Sequence, residues 1–140
     1  MLKIFLASHG HLASGMKSSV EILLGTSDNL TVFDAYVDEF CDDSSVKTVI
    51  EDYLASLADN DTLVMCADLY GGSVNQVLAL HVGRPNTYLV AGINLGFILE
   101  LALKSEITKS ELEQIIDDSK DALRLVELDK IELPSNDDFI

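Results

Sequence analysis

The chain alternates between short, continuously apolar runs and longer stretches in which apolar residues return every three or four positions. The first run, Leu2–His11 (LKIFLASHGH), gathers Leu2, Ile4, Phe5, Leu6 and Ala7 and stops at His9-Gly10. A run this short and unbroken suits a strand buried on both faces of a parallel sheet. Gly10 permits a tight turn. Leu12, Met16, Val20, Leu23 and Leu24 then fall at helical spacing, with Gly25 as the stop. Asn29–Ala35 (NLTVFDA) predicts a second strand from its β-branched and aromatic residues. An acidic loop over Asp38–Ser45 leads into a helix that Ser45 is expected to cap, striped by Val46, Val49, Ile50, Tyr53, Leu54 and Leu57. Asp59-Asn60-Asp61 is a turn, and Leu63–Ala67 a third buried strand ending at Asp68.

Leu69-Tyr70-Gly71-Gly72-Ser73 opens the next helix, which Ser73 is expected to cap, with Val74, Val77, Leu78 and His81 on one face. Gly83 and Pro85 close it. Thr87–Ala91 (TYLVA) makes a fourth strand, followed by Gly92-Ile93-Asn94. Leu95–Leu103 is apolar almost all round and predicts a helix covered on several sides. Thr108 and Glu111 form a capping-box pair before a helix carrying Leu112, Ile115 and Ile116. The alternation predicts a three-layer αβα fold. Its mainly parallel, doubly wound sheet of four strands is expected in the order 2-1-3-4. Arg124–Leu128 is the candidate for an antiparallel C-terminal edge strand. Residues 1–133 are expected to form one domain and 134–140 an acidic tail.

Composition narrows the partners. A formal net charge of −15 argues against nucleic acid and anionic membrane and favours a partner with a basic face. No run of about 18 apolar residues suggests a membrane span. The N-terminus has a single Lys3, a short apolar run and no small-residue cleavage site, so no secretory signal is expected. Cys41 and Cys66 have neither metal spacing nor the number a disulfide framework needs. A cytoplasmic location fits best.

The chemistry-bearing residues fall at strand ends, where open α/β sheets bind ligands. The first end carries His9 and Gly10, the third Asp68, Gly71, Gly72 and Ser73, the fourth Gly92 and Asn94. If the first and third strands are neighbours, Asp68 can reach His9, hold one ring nitrogen protonated and turn the other lone pair outward. Such a histidine is a nucleophile, a general base or a metal ligand. The amides after Gly10 and around Gly71-Gly72-Ser73 offer donors to an anion beside that lone pair, which suits a phosphoryl group.

Phe5–Gly10 (FLASHG), Leu23-Leu24-Gly25, Ala67–Ser73 (ADLYGGS) and Val90–Asn94 (VAGIN) together resemble the IIA component of the mannose family of the bacterial phosphoenolpyruvate-dependent sugar phosphotransferase system. The resemblance spans roughly the first hundred residues in order and spacing, and the C-terminal forty only loosely. It implies that His9 accepts a phosphoryl group from a histidine-phosphorylated carrier protein. His9 would then pass it to a IIB component, with membrane IIC and IID components coupled indirectly. It further implies that Asp68 bonds the other ring nitrogen, and that Gly10, Gly71, Gly72 and Ser73 line the phosphoryl site. No metal or cofactor is implied. A homodimer is, with a C-terminal segment exchanged at the sheet edge. Where many members carry proline after GGS, this chain has Val74, which restores an N–H in the first helical turn.

Other assignments compete. A receiver-like domain would use Asp68 but needs an acidic pair after the first strand, where Ser8-His9 stands. A metal-dependent hydrolase would enlist His9, His11 and Asp68, yet no metal motif is present. His11 reads as an exposed bystander, His81 as a partly buried structural residue, and Tyr70 as a residue bordering the site.

Overall fold

The computed structural model describes residues 1–128. The tail expected over 134–140 and the domain end at 133 lie outside the described residues. In chain order the elements are β1 (Leu2–His9), α1 (Leu12–Leu24), β2 (Leu30–Ala35), α2 (Asp43–Ala55) and β3 (Thr62–Ala67). There follow α3 (Ser73–Ala79), β4 (Thr87–Ala91), α4 (Leu95–Ala102) and α5 (Lys109–Lys120).

The strands form one parallel sheet in the order β2-β1-β3-β4. The unbroken apolar run of β1 follows from its central place, since successive side chains point to opposite faces and both are covered. Leu2, Ile4 and Leu6 pack with Ala13 and Val20 of α1, Phe97, Ile98 and Leu101 of α4, and Leu112 and Ile115 of α5. Phe5 and Ala7 point the other way, towards Val46 and Ile50 of α2 and Val74, Val77 and Leu78 of α3. The three layers are thus α1/α4/α5, sheet, α2/α3.

The split of helices follows from handedness. From β1 the chain steps outward to β2 through α1, then reverses across β1 to β3 through α2 and continues to β4 through α3. Right-handed crossovers put α1 on one face and α2 and α3 on the other once the direction reverses. The reversal leaves a crevice between β1 and β3 at their carboxyl ends, and this positions the site.

Two caps differ from expectation. α2 is capped by Asp42, whose carboxylate accepts from the Ser45 amide at 3.0 Å while the Ser45 hydroxyl returns to the Asp42 amide at 3.3 Å. Ser45 is therefore the third residue of the helix. An acid is well placed there, because helix N-termini carry partial positive charge. α3 is capped by the extended Gly72 with no side-chain bond, and Ser73 becomes its first residue, its hydroxyl free for other work. The Thr108–Glu111 capping box forms as expected, the Thr108 hydroxyl accepting from the Glu111 amide at 3.2 Å. Thr108→Ala should cost about 1 kcal/mol of stability, read by urea denaturation, without moving the spectroscopic signature of the native state.

Arg124–Leu128 forms no strand with the described sheet. Leu123, Leu125, Val126 and Leu128 all lie exposed, so no burial offsets the entropy of ordering them on this chain alone. Among the described residues no helix is long and apolar enough to cross a membrane.

Candidate functional site

β1 and β3 pair in register through Ala7 and Ala67, so the next residues leave the sheet side by side. His9 closes β1 and Asp68 follows β3. One carboxylate oxygen of Asp68 accepts the His9 backbone N–H at 2.9 Å and lies 2.9 Å from Nδ1 of the same ring. The other oxygen accepts the Leu69 amide at 3.1 Å. The Asp68 side chain is only 8% exposed, whereas that of His9 is 40% exposed. Burial on its own would raise the Asp68 carboxyl, but the hydrogen bonds from the His9 amide and ring outweigh it and hold the group below its ordinary value. An ionised carboxylate only accepts, so Nδ1 carries the proton and Nε2 of the neutral ring keeps its lone pair.

Nε2 faces the Ser73 hydroxyl at 3.2 Å. That oxygen is also 2.9 Å from the hydroxyl of Tyr36, which in turn lies 2.6 Å from a carboxylate oxygen of Asp43 on the first turn of α2. The Tyr36 ring stands against the imidazole with centroids 5.2 Å apart. Tyr36 follows β2 directly and adopts φ +62°, a conformation rare outside glycine, and its amide donates to the Cys41 sulfur. Burial first, then the bond to Asp43, push its phenol above the ordinary value, so it remains a neutral O–H.

The glycines divide by role. Gly71 takes φ +76° and so makes the turn before α3. A Cβ at Gly72 would crowd that of Leu69 at 3.2 Å and meet Cε1 of His9 at an ordinary contact distance of 3.7 Å, so its bareness lets the turn close on Leu69. The Gly72 amide donates to the Leu69 carbonyl. Gly10 contributes the turn out of β1 at φ +61°, but its amide is spent on the Ala35 carbonyl at 2.8 Å. The start of α1 is likewise occupied. The buried Ser8 hydroxyl accepts the Ala13 amide at 2.7 Å, and Asp34 accepts that of Ser14 at 2.9 Å. On the α1 side the amides of Gly10, Ala13 and Ser14 are therefore committed to the fold.

His9, Asp68, Gly71, Gly72 and Ser73 are brought together; Gly92 and Asn94 serve elsewhere. Asn94 caps α4 by accepting the Phe97 amide and ties it to α5 by donating to the Ser119 carbonyl. His11 is exposed and bonds Asp34 at 3.0 Å. Burial would raise the Asp34 carboxyl, but bonds from Ser14 and then His11 hold it low. His81 is partly buried, as expected. Tyr70 is 89% exposed. The tyrosine at the site is Tyr36, whose only sequence signal is its place at the end of the second strand. Among the described residues no group of three or more His, Cys, Asp or Glu is arranged to hold a metal ion.

A family profile described as "EIIA-man: PTS system fructose IIA component" matches residues 3–120. The chain is 29% identical over 103 residues to the PTS system mannose-specific EIIAB component of Escherichia coli K12, a match covering 71% of this chain and 30% of that relative. It therefore spans less than a third of that protein's length. Among solved structures, it is similar to the PTS IIA protein associated with the fucose utilization operon of Streptococcus pneumoniae. That likeness has a TM-score of 0.76 and 25% identity and covers 89% of this chain and 92% of the other. A mannose/sorbose specific IIA subunit from Enterococcus faecalis shares the fold, with a TM-score of 0.80 and 24% identity over 94% of this chain and 98% of that one.

Proposed function

The chain belongs to the EIIA-man family of phosphotransferase-system IIA components, and from that premise we propose that Nε2 of His9 is its phosphoryl acceptor. The observation that carries this reading is the bond between Nδ1 and Asp68, which leaves Nε2 as the lone pair at the crevice mouth. The donor is a histidine-phosphorylated carrier protein and the acceptor a IIB component, both met in the cytoplasm, with membrane IIC and IID components coupling transfer indirectly to sugar uptake. Transfer between two imidazoles demands in-line positioning and charge stabilisation, and no cofactor. Asp68 holds the ring and offsets the positive charge that builds on it as the N–P bond forms. The Ser73 hydroxyl, with the amides of Gly71 and Ser73, receives the phosphoryl oxygens. Gly72 lets the turn close beside the ring and Gly10 shapes the turn behind it.

Docking falls on the rim. Leu12, Phe40, Leu69 and Tyr70 are exposed apolar residues following the carboxyl ends of β1, β2 and β3, beside the acidic Asp38 and Glu39. An apolar contact ringed by negative charge suits a partner with a basic face.

The working unit is residues 1–133, with 134–140 as a tail, assembled as a homodimer. The outer edge of β4, flanked by Leu112 and Ile116, has no partner strand among the described residues. The exposed Leu123, Leu125, Val126 and Leu128 are the segment that a second copy would lay there. Light scattering should return twice the chain mass. A monomer across micromolar to millimolar concentration would remove this part of the reading.

The test of the acceptor is labelling. The protein is incubated with phosphoenolpyruvate, the carrier protein and the enzyme that phosphorylates it. It should gain an acid-labile, alkali-stable phosphoryl group mapping to His9, and His11→Ala and His81→Ala should label equally well. Metal-dependent labelling of Asp68 by a small acyl phosphate would instead favour the receiver-like alternative.

A further inference from the structure

The contacts leading away from Nε2 outnumber the protons available to fill them. Three run in series, from Nε2 to Ser73 at 3.2 Å, Ser73 to Tyr36 at 2.9 Å and Tyr36 to Asp43 at 2.6 Å. The two hydroxyls bring one proton each. With neutral His9 protonated on Nδ1 and Asp43 ionised, one contact lacks a hydrogen. All three fill together only when one more proton is present, and it has two resting places. On Nε2, the donations run from the ring to Ser73, Tyr36 and Asp43 in turn. On Asp43, every donation reverses and ends at the Nε2 lone pair. The two arrangements differ only by a shift of each proton along the chain.

We propose that Ser73, Tyr36 and Asp43 form a relay that carries the Nε2 proton of His9 out to the surface of α2 before phosphoryl transfer and returns it afterwards. The inference rests on the reading of His9 as the phosphoryl acceptor. In the accepting direction Nε2–H passes its proton to Ser73, Ser73 passes its own to Tyr36, and Tyr36 passes its own to the Asp43 carboxylate. The resulting carboxylic acid releases the proton to water. Nε2 then attacks phosphorus, forming its N–P bond while the donor ring nitrogen keeps the electron pair of the bond that breaks. Ser73 is left with a hydroxyl proton to give a phosphoryl oxygen.

A relay matters because the site works while covered. His9 is partly exposed in the free chain, but a docked partner on the apolar rim closes that path to water. Asp43 lies to the side, exposed on the first turn of α2, so it remains an outlet. Tyr36 is a positioning residue in this scheme, acting on His9 through Ser73. Its left-handed backbone and ring contact with the imidazole hold the hydroxyl between the two oxygens. The groups facing the chain are Asp68 from the end of β3, Cys41 from the loop before α2, and Asp43 itself. On the far side of His9, His11 and Asp34 are paired with each other.

Tyr36→Phe keeps the ring against His9 and removes the link. Labelling rates from the phosphorylated carrier protein, for wild type and Y36F across about pH 6 to 8, separate the cases. The Y36F to wild-type ratio should fall by about tenfold from the alkaline to the acidic end, because with the link cut a proton on Nε2 has no way out under a docked partner. Asp43→Asn should show the same trend. A Y36F ratio constant with pH, whether near one or uniformly low, would overturn the relay and leave the acceptor assignment standing. Wild type that never labels on His9 would overturn both.

Discussion

His9→Ala should abolish labelling, lowering the rate by roughly 10⁴-fold or more, since it removes the atom that forms the N–P bond. The fold should survive. The Asp68 carboxylate keeps its bonds from the His9 backbone amide and the Leu69 amide, both of which an alanine leaves in place. Loss of the ring bond alone should cost about 1 kcal/mol. Mass spectrometry of the intact protein under alkaline conditions reads the label, and circular dichroism with urea titration reads the fold. A variant that still labels, or one that labels on His11, would withdraw His9 as the acceptor.

The second large effect is at Asp68, where two substitutions separate orientation from charge. Asp68→Ala removes both and should slow transfer by about 10²-fold. Asp68→Asn can keep its amide oxygen towards His9, because that orientation satisfies the backbone N–H and Nδ1–H together and mismatches only the Leu69 amide. The proton then stays on Nδ1, and only the negative charge behind the ring is lost. Asp68→Asn should fall between wild type and Asp68→Ala, at roughly tenfold. Equal rates for wild type and both variants would show that the carboxylate only builds the turn.

Stability supplies an independent check on Asp68. Its folded pKa lies below its unfolded value of about 3.9. The ionised group therefore contributes stability above that value, and the contribution fades as pH falls through the lower folded value. The stability gap between wild type and Asp68→Ala should be widest near neutrality and narrow below about pH 4. A gap that widens in acid would mean the carboxyl is held protonated in the fold.

What was legible came from local physics. The apolar run of β1 ending at His9, the buried β3 ending at Asp68 and the glycine pair before Ser73 are patterns of burial and turn chemistry. They involve neighbours in sequence, so they can be read from it. The capping box at Thr108 and Glu111 is of the same kind. The cap of α2 falls at Asp42, three residues before Ser45, because both residue types suit a cap and only the backbone decides which is extended.

Other features needed the third dimension. Tyr36 reaches Ser73 across 37 positions, and it does so through a left-handed turn that nothing about a tyrosine announces. Tyr70, nearer the motif in sequence, lies in solvent. Gly10 sits beside His9, yet its amide serves β2 because the strand order puts Ala35 within reach. Arg124–Leu128 has strand-like residues but pairs with neither open edge of the described sheet.

The sequence by itself determined which segments are buried, where they end and which reactive groups stand at those ends, because burial and turn preferences act over a few residues. Tertiary structure decided which of those ends meet. The reversal of direction between β2 and β3 sets Asp68 behind His9 and lets β2 bring Tyr36 up to the far side of Ser73. Hydrogen bonds form over about 3 Å whatever the separation along the chain, so the proton chain at Nε2 exists only once the sheet order is set.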